Sequence, residues 1–334
     1  MSAGIEFREA TAADRDAILA LRRVAFSDDD PEKQAPGFWR WEFVDGYAGA
    51  GRVFVAESGD QIVGHFAFVP QHYAMPHVVR GALAVDVMTH PDFQRRGIFS
   101  KLAAFAADRL RSDFPIVTAF QIREAVLPGM QAGGWNATHS LPILLRPLSL
   151  RSLARDFGLP LVPEGVPRSI DRPREVQSLR EPDFNLVDGF LATPAIRQPR
   201  TADFLRWRYL ENPHWRYELD GWYDNGELRA FVVHRDTVLR GLRAVAIADL
   251  GFAKGAEREL RRLMKHVCAA GRARGRSVAA VLISASHPAR PVLRRCGFLP
   301  GPHRFRLLLQ VFDKSLDRAA TEPWSLSWGD TDHL

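Results

Sequence analysis

The chain has 334 residues, a length that accommodates about two domains. Hydrophobic residues make up 46% and charged residues 25%, which excludes a disordered or fibrous chain. A formal net charge of +6 suits an anionic ligand such as a phosphorylated cosubstrate, and is too small and too evenly spread to indicate nucleic acid.

The N-terminus is polar, with no apolar signal run, and no stretch reaches the roughly 18 apolar residues of a membrane span. The expectation is a cytoplasmic protein without a membrane partner. A helix is predicted over 13–24, with Thr11 as its N-cap. The aromatic-rich segment Phe38-Trp39-Arg40-Trp41-Glu42-Phe43 follows. Strands are predicted at 52–57, 61–70 and 81–89, where β-branched residues are bounded by turn residues. Ile98, Leu102, Phe105 and Ala106 share one helical face and predict a helix over about 96–111. A strand at 115–121, a short helix near 124–132 and a strand at 140–145 complete the first half. Prolines then cluster, from Pro142 and Pro147 through Pro160, Pro163, Pro167, Pro173, Pro182 and Pro194 to Pro199, and mark a linker.

Beyond the linker the order repeats at a nearly constant spacing. Phe204-Leu205-Arg206-Trp207-Arg208-Tyr209 matches the Phe38–Phe43 segment, and 228–234 matches the strand at 62–68. Gly133-Gly134-Trp135 has its counterpart in Cys296-Gly297-Phe298. A long helix is predicted around Leu260, Leu263, Met264 and Val267. The division expected is an N-terminal domain at 1–148, a Pro-rich linker at 149–200, a C-terminal domain at 201–315 and a tail at 316–334. The two cysteines, Cys268 and Cys296, lie in no Cys/His cluster, so neither a disulfide framework nor a metal site is expected.

The segment from Val85 to Leu102 carries the chemistry. It is a strand, a turn closed by Pro91, the run Gln94-Arg95-Arg96-Gly97, and a helix. A helix N-terminus presents unpaired N–H groups and the positive end of its dipole, an arrangement that binds phosphate. Gly97 brings backbone close to a bulky anion, and Arg95 and Arg96 add charge at the same mouth. The bland alternative is a solvated basic cap with no ligand.

Strand, Gln-x-x-Gly-x-(Gly/Ala) and helix resembles the pyrophosphate arm of the GNAT superfamily of acyl-CoA-dependent N-acyltransferases, over about 5–145. Gln94, Gly97 and Phe99 hold the three marked positions, and Phe99 departs from the small residue usual there. The resemblance implies an α/β fold of two GNAT-like domains in tandem, each a mixed, mostly antiparallel sheet flanked by helices. It implies acetyl-CoA or another acyl-CoA as cosubstrate, held by the N–H groups of Arg95, Arg96, Gly97, Ile98, Phe99 and Ser100. Val87 and Met88 would line a slot where the fourth strand leaves the fifth. The second half has Gly251-Phe252-Ala253-Lys254-Gly255-Ala256-Glu257 at the equivalent place, with Glu257 where an anion would sit, so one cosubstrate site is expected.

Acyl transfer to an amine needs a proton acceptor and stabilisation of the leaving thiolate. Asp86 is a charged residue in an apolar strand. It could take the amine proton, anchor a cationic acceptor, or form a structural ion pair; its repeat partner is Asp249. The position of the Tyr that many relatives use as acid is Met130, which has no proton to give. Tyr73 and His72 are candidate replacements. His65 and Trp39 are candidate acceptor contacts, with core packing as the alternative for each. The tail, with Trp324 and Trp328, is expected to dock and to offer Asp330 and Asp332 to a cationic acceptor. The reading is an N-acyltransferase acting on a small-molecule amine, as monomer or homodimer. The alternatives are a protein N-acetyltransferase, a non-catalytic acyl-CoA sensor or scaffold, and decarboxylation of a malonyl-type CoA.

Overall fold

The computed structural model describes residues 4–26, 31–121, 127–159 and 170–332. Two compact units form. The first comprises Met1–His139, Glu211–His214 and Arg306–Glu322; the second comprises Ser140–Leu210, Trp215–Phe305 and Pro323–Leu334.

The first unit opens with β1 (Ile5–Glu9), a short strand that precedes the expected first helix, α1 (Arg15–Phe26). The aromatic-rich segment is itself a helix, α2 (Pro36–Phe43), with a proline in its first turn, where the missing N–H costs no intrahelical bond. The meander β2 (Arg52–Ser58), β3 (Gln61–Ala74) and β4 (Val78–Thr89) follows as expected, with longer strands than periodicity indicates. Then come α3 (Ile98–Leu110), β5 (Ile116–Gln121), α4 (Leu127–Ala132) and β6 (Asn136–Pro147). The expected start of the short helix, at 124–126, lies outside the described residues.

β1 to β4 pair antiparallel in chain order, and β5 joins β4 in parallel. The far edge of β5 is filled by residues 306–311 of the chain's last strand. One face of this sheet is covered by α3, whose Ile98, Leu102, Ala103 and Ala106 pack with Phe54, Phe66 and Trp135. Gly81 marks the tightest point of the sheet. A Cβ there would lie 2.6 Å from the Ile116 carbonyl oxygen and 2.6 Å from the Tyr73 ring, so only hydrogen fits.

The second unit repeats the plan. It holds α5 (Leu150–Asp156), β7 (Val176–Ser178), α6 (Phe184–Phe190), α7 (Ala202–Leu205), β8 (Glu218–Asp224), β9 (Glu227–Leu239) and β10 (Leu242–Phe252). It continues with α8 (Glu257–Ala273), β11 (Val278–Leu282), α9 (Arg290–Arg295) and the first part of β12 (Leu299–Val311). β7 to β10 are antiparallel, β11 is parallel to β10, and residues 143–147 of β6 close the far edge of β11.

Each unit therefore takes its closing strand from the other half of the chain. Residues 140–147, expected in the first domain, sit in the second unit; residues 306–315, expected in the second domain, sit in the first. Outside 160–169, which lie beyond the described residues, the Pro-rich segment is not a bare linker: it supplies α5, β7 and α6 to the second unit.

Gly81→Ala should destabilise the chain by about 1–3 kcal/mol through overpacking, read as a lowered urea midpoint with an unchanged slope.

Candidate functional site

β4 and β5 pair only through Ala82–Val117, Leu83–Thr118 and Ala84–Ala119. Beyond Ala84 they part. The register of β4 against β3 shifts between His65–Met88 and Ala67–Val85, so Asp86 and Val87 together face Phe66. This is a β-bulge, which bends a strand and increases its twist. Asp86 takes φ +48°, a left-handed conformation that a short polar side chain tolerates better than most. Val87 packs on the α3 side of the sheet, and Met88 is buried. Both line the point of divergence.

The Asp86 carboxylate is committed. The Arg22 guanidinium of α1 lies 2.6 Å away and the Lys33 ammonium 3.8 Å away, and all three side chains are almost wholly buried. Of the roles open to Asp86, the structure shows the ion pair. Arg22 and Lys33 escaped the sequence reading, although Arg22 follows Ile18 by four residues and so lies on the buried face of α1.

His65 is 1% exposed. Its Nδ1 stands 2.6 Å from the Asp86 carbonyl oxygen. Burial pushes its pKa down; Asp86 opposes that and Arg22 adds to it, with burial dominant, so the ring is neutral. Nε2 has no hydrogen-bond partner among the described residues, a state that costs about 1–3 kcal/mol for a buried polar atom. Trp39 is half-buried, and its ring packs on Phe43 at 5.6 Å.

The arm follows β4. His90 caps a single turn, Pro91–Phe93, and Gln94 is extended. Arg95 has φ +62° and Gly97 φ +72°. Left-handed residues on either side of Arg96 are the backbone pattern of nests that bind anions. The first N–H after the arm to find a backbone acceptor is that of Lys101, on the Gly97 carbonyl oxygen. Among the described residues, none of the N–H groups of Arg95, Arg96, Gly97, Ile98, Phe99 and Ser100 has a partner. Arg96 folds back, donating to the Asp92 carbonyl oxygen at 2.8 Å and covering the Phe93 ring, while Arg95 stays exposed.

The remaining candidates lie elsewhere. Tyr73 is buried, and its hydroxyl is 2.7 Å from Thr118 Oγ1. It pairs with Val79, so roughly 30 Å of strand separates it from Met88. His72 pairs with Arg80 at the same end and stacks edge-on with Tyr47; burial and Arg80 lower its pKa. His72 stays at that end, whereas the Tyr73 hydroxyl reaches Thr118 and the Ala82 carbonyl oxygen, one to two residues from the last β4–β5 pair, Ala84–Ala119. Met130 is buried in the α3 core cluster, and the Phe99 ring turns inward to Phe66 at 6.0 Å and to Gly129 of α4.

In the second unit the corresponding opening is filled. β10 and β11 pair from Ala244–Val278 to Ile247–Val281 and then part, again at a register shift, between Ile247 and Asp249. Into that gap comes the C-terminal tail. Ser327 forms an antiparallel bridge with Ile283, and the Ser284 N–H donates to the Leu326 carbonyl oxygen at 3.0 Å. Asp249 is fully buried and accepts from Arg200, from the Tyr209 hydroxyl at 3.1 Å and from the Ser327 hydroxyl at 3.2 Å. Arg200 also donates to Asp330 at 2.8 Å. The tail docks as expected, with Trp324 and Trp328 at 1% and 2% exposure, but Asp330 is consumed by Arg200 and is not available to an acceptor. The first turn of α8 carries Glu257 and Glu259, which oppose an anion at its N-terminus.

Residues 6–123 match the family described as Acetyltransferase (GNAT) domain. No curated protein matches the chain. Among solved structures, N-myristoyltransferase of Saccharomyces cerevisiae with bound myristoyl-CoA is similar over 93% of this chain and 80% of its own, with TM-score 0.65 and 10% identity. A GCN5-related N-acetyltransferase from Kribbella flavida is similar over 93% of this chain and 72% of its own, with TM-score 0.59 and 17% identity. A conserved protein of unknown function from Enterococcus faecalis V583 gives 93%, 73%, 0.62 and 10% for the same quantities. Residues 6–123 thus resemble a GNAT domain, and the chain as a whole has the α/β fold of these solved structures. No helix among the described residues is long and apolar enough to cross a membrane.

Two outcomes are expected. Asp86→Asn leaves Arg22 and Lys33 buried beside a neutral partner and should cost about 3–5 kcal/mol in urea unfolding. A chain ending at residue 322 should unfold at a steeply lower urea midpoint, because Arg200 and Asp249 lose Asp330 and Ser327 and the Trp324 and Trp328 sites are emptied.

Proposed function

We propose that this chain is an acyl-CoA-dependent N-acyltransferase with one working site, in the first unit, and that it moves an acyl group to the amine of a small molecule. The observation that carries this reading is the run of six N–H groups from Arg95 to Ser100 without a partner among the described residues, placed where β4 has just left β5. Those groups would take the pyrophosphate of the cosubstrate, with Arg95 adding charge at the mouth. The unpaired edge of β4 at Val87 and Met88 would receive the extended pantetheine, and a free N–H there would polarise the thioester carbonyl. The thioester supplies the activated acyl group; the chain's own part is to hold it dry and in line with the acceptor.

The second unit supports a single site from two sides: its arm is acidic, and its own tail occupies the gap between β10 and β11. The net charge of +6 disfavours a basic peptide as acceptor and favours a small amine. One observation favours a second reading. Met130 is buried where the resemblance implies a proton donor, so a non-catalytic acyl-CoA-binding protein is the alternative.

Acetyl-CoA at ~100 times its Kd should stabilise the native chain by about 2.7 kcal/mol, seen as a rise in thermal midpoint. Calorimetric titration should give one equivalent per chain. In Gly97→Glu the side chain meets open space but forces a left-handed residue and sets a carboxylate at the proposed anion site, so the shift should vanish while the unliganded fold persists. Two equivalents bound, or no shift in the native chain, would overturn the reading.

A further inference from the structure

His65 lies on β3 opposite Val55 on one side and Met88 on the other, so all three side chains share the face of the sheet away from α3. A carbonyl oxygen only accepts, so the 2.6 Å contact with the Asp86 carbonyl places the ring proton on Nδ1. Nε2 is then a bare lone pair, buried and without a donor among the described residues. The Trp39 Nε1–H, from α2, is likewise buried and without an acceptor. Both rings pack against Phe43, at 5.6 Å for Trp39 and 6.3 Å for His65. One acceptor and one donor thus each pack on the Phe43 ring, and His65 touches the bulge where β4 leaves β5. The obvious base, the Asp86 carboxylate, faces Arg22 and Lys33 instead.

We propose that His65 Nε2, not the Asp86 carboxylate, receives the N–H of the acceptor, while Trp39 Nε1–H donates to an oxygen of the same molecule. The acceptor is then a primary amine carrying a hydrogen-bond-accepting oxygen close by, such as an amino alcohol, aminosugar or amino acid. This rests on the acyltransferase reading above. In the step, the amine nitrogen forms the new bond to the thioester carbonyl carbon as Nε2 takes its proton. The C–S bond breaks with its electron pair on sulfur, and the imidazolium returns the proton to the thiolate. Amine and acyl-CoA become amide and free thiol.

The experiment uses the full chain, acetyl-CoA and hydroxylamine, the smallest amine with an oxygen attached. Imidazole 15N spectra should show His65 as the Nδ1–H tautomer. His65→Gln, which can accept a hydrogen bond but not a proton, should lower kcat for thiol release about 10²–10⁴-fold while the acetyl-CoA thermal shift stays native. Trp39→Phe should raise the KM for hydroxylamine with kcat within about threefold. An Nε2–H tautomer, or His65→Gln within about threefold of the native rate, would overturn the proposal and leave the acyltransferase reading standing. Absence of any acetyl-CoA shift in the native chain would overturn both.

Discussion

Two residues of β4, Asp86 and Val87, stand opposite the single residue Phe66 of β3. The extra length must go somewhere. It goes into a bend that carries β4 away from β5, and the bend leaves unpaired backbone edges that a regular sheet would never expose. Such an opening costs hydrogen bonds and would close unless something held it. What holds it is an anchored bulge: the carboxylate of Asp86 is fixed by Arg22 and Lys33, and its carbonyl oxygen accepts from His65. The turn before α3 depends on this anchor, because Gln94 begins only a few residues past the bend and inherits its direction from β4.

The second unit solves the same problem with different parts. Its strand also shifts register, at Asp249, and that carboxylate also meets a buried arginine. Arg200 comes from the segment before α7, however, and its remaining donors reach Asp330 and Ser327 of the tail. A peptide segment is a good stand-in for an extended ligand, since it brings N–H and C=O groups in strand geometry together with side chains to fill the space. Trp324 and Trp328 supply that filling. One architecture thus carries an open slot in one unit and a self-filled slot in the other, and the difference lies in who satisfies the unpaired edges.

The strands and long helices were legible because their cores are periodic: Ile98, Leu102 and Ala106 on α3, and Leu260, Leu263, Met264 and Val267 on α8, are buried as their spacing indicates. The turn before α3 was legible because a left-handed residue before a helix leaves a local mark, Gly97 after two arginines. Long-range facts left no such mark. The strand at 306–311 pairs with β5 because both edges are apolar and unpaired, a preference that no window of neighbouring residues contains. The ion pair of Asp86 depends on Lys33, more than fifty residues away, and the contacts of the Tyr73 hydroxyl, Ala82 and Thr118, are set by antiparallel pairing and by β5 rather than by its neighbours in sequence. Asp330 looked available for the same reason, since nothing near it in the chain announces Arg200.

On the acyltransferase reading proposed above, the packing of α3 against α4 bears on how transfer would proceed with Met130 in this place. Phe99 turns into the sheet toward Phe66 and Gly129, and Met130 joins the same apolar cluster. A hydroxyl at either place would need a partner that this cluster does not offer, so the apolar residues are consistent with each other rather than isolated losses. A thiol ionises near pH 8.5, so a thiolate is a tolerable leaving group in neutral water and its protonation is the least demanding part of the reaction. On that reading the demanding part is removal of the amine proton. The group proposed for it, His65, is an imidazole held neutral by burial, with its tautomer set by a backbone carbonyl at the bulge. The bulge that opens the slot and the group proposed to accept the proton are thus joined by one hydrogen bond, and a change that relaxed the bend would also free the ring.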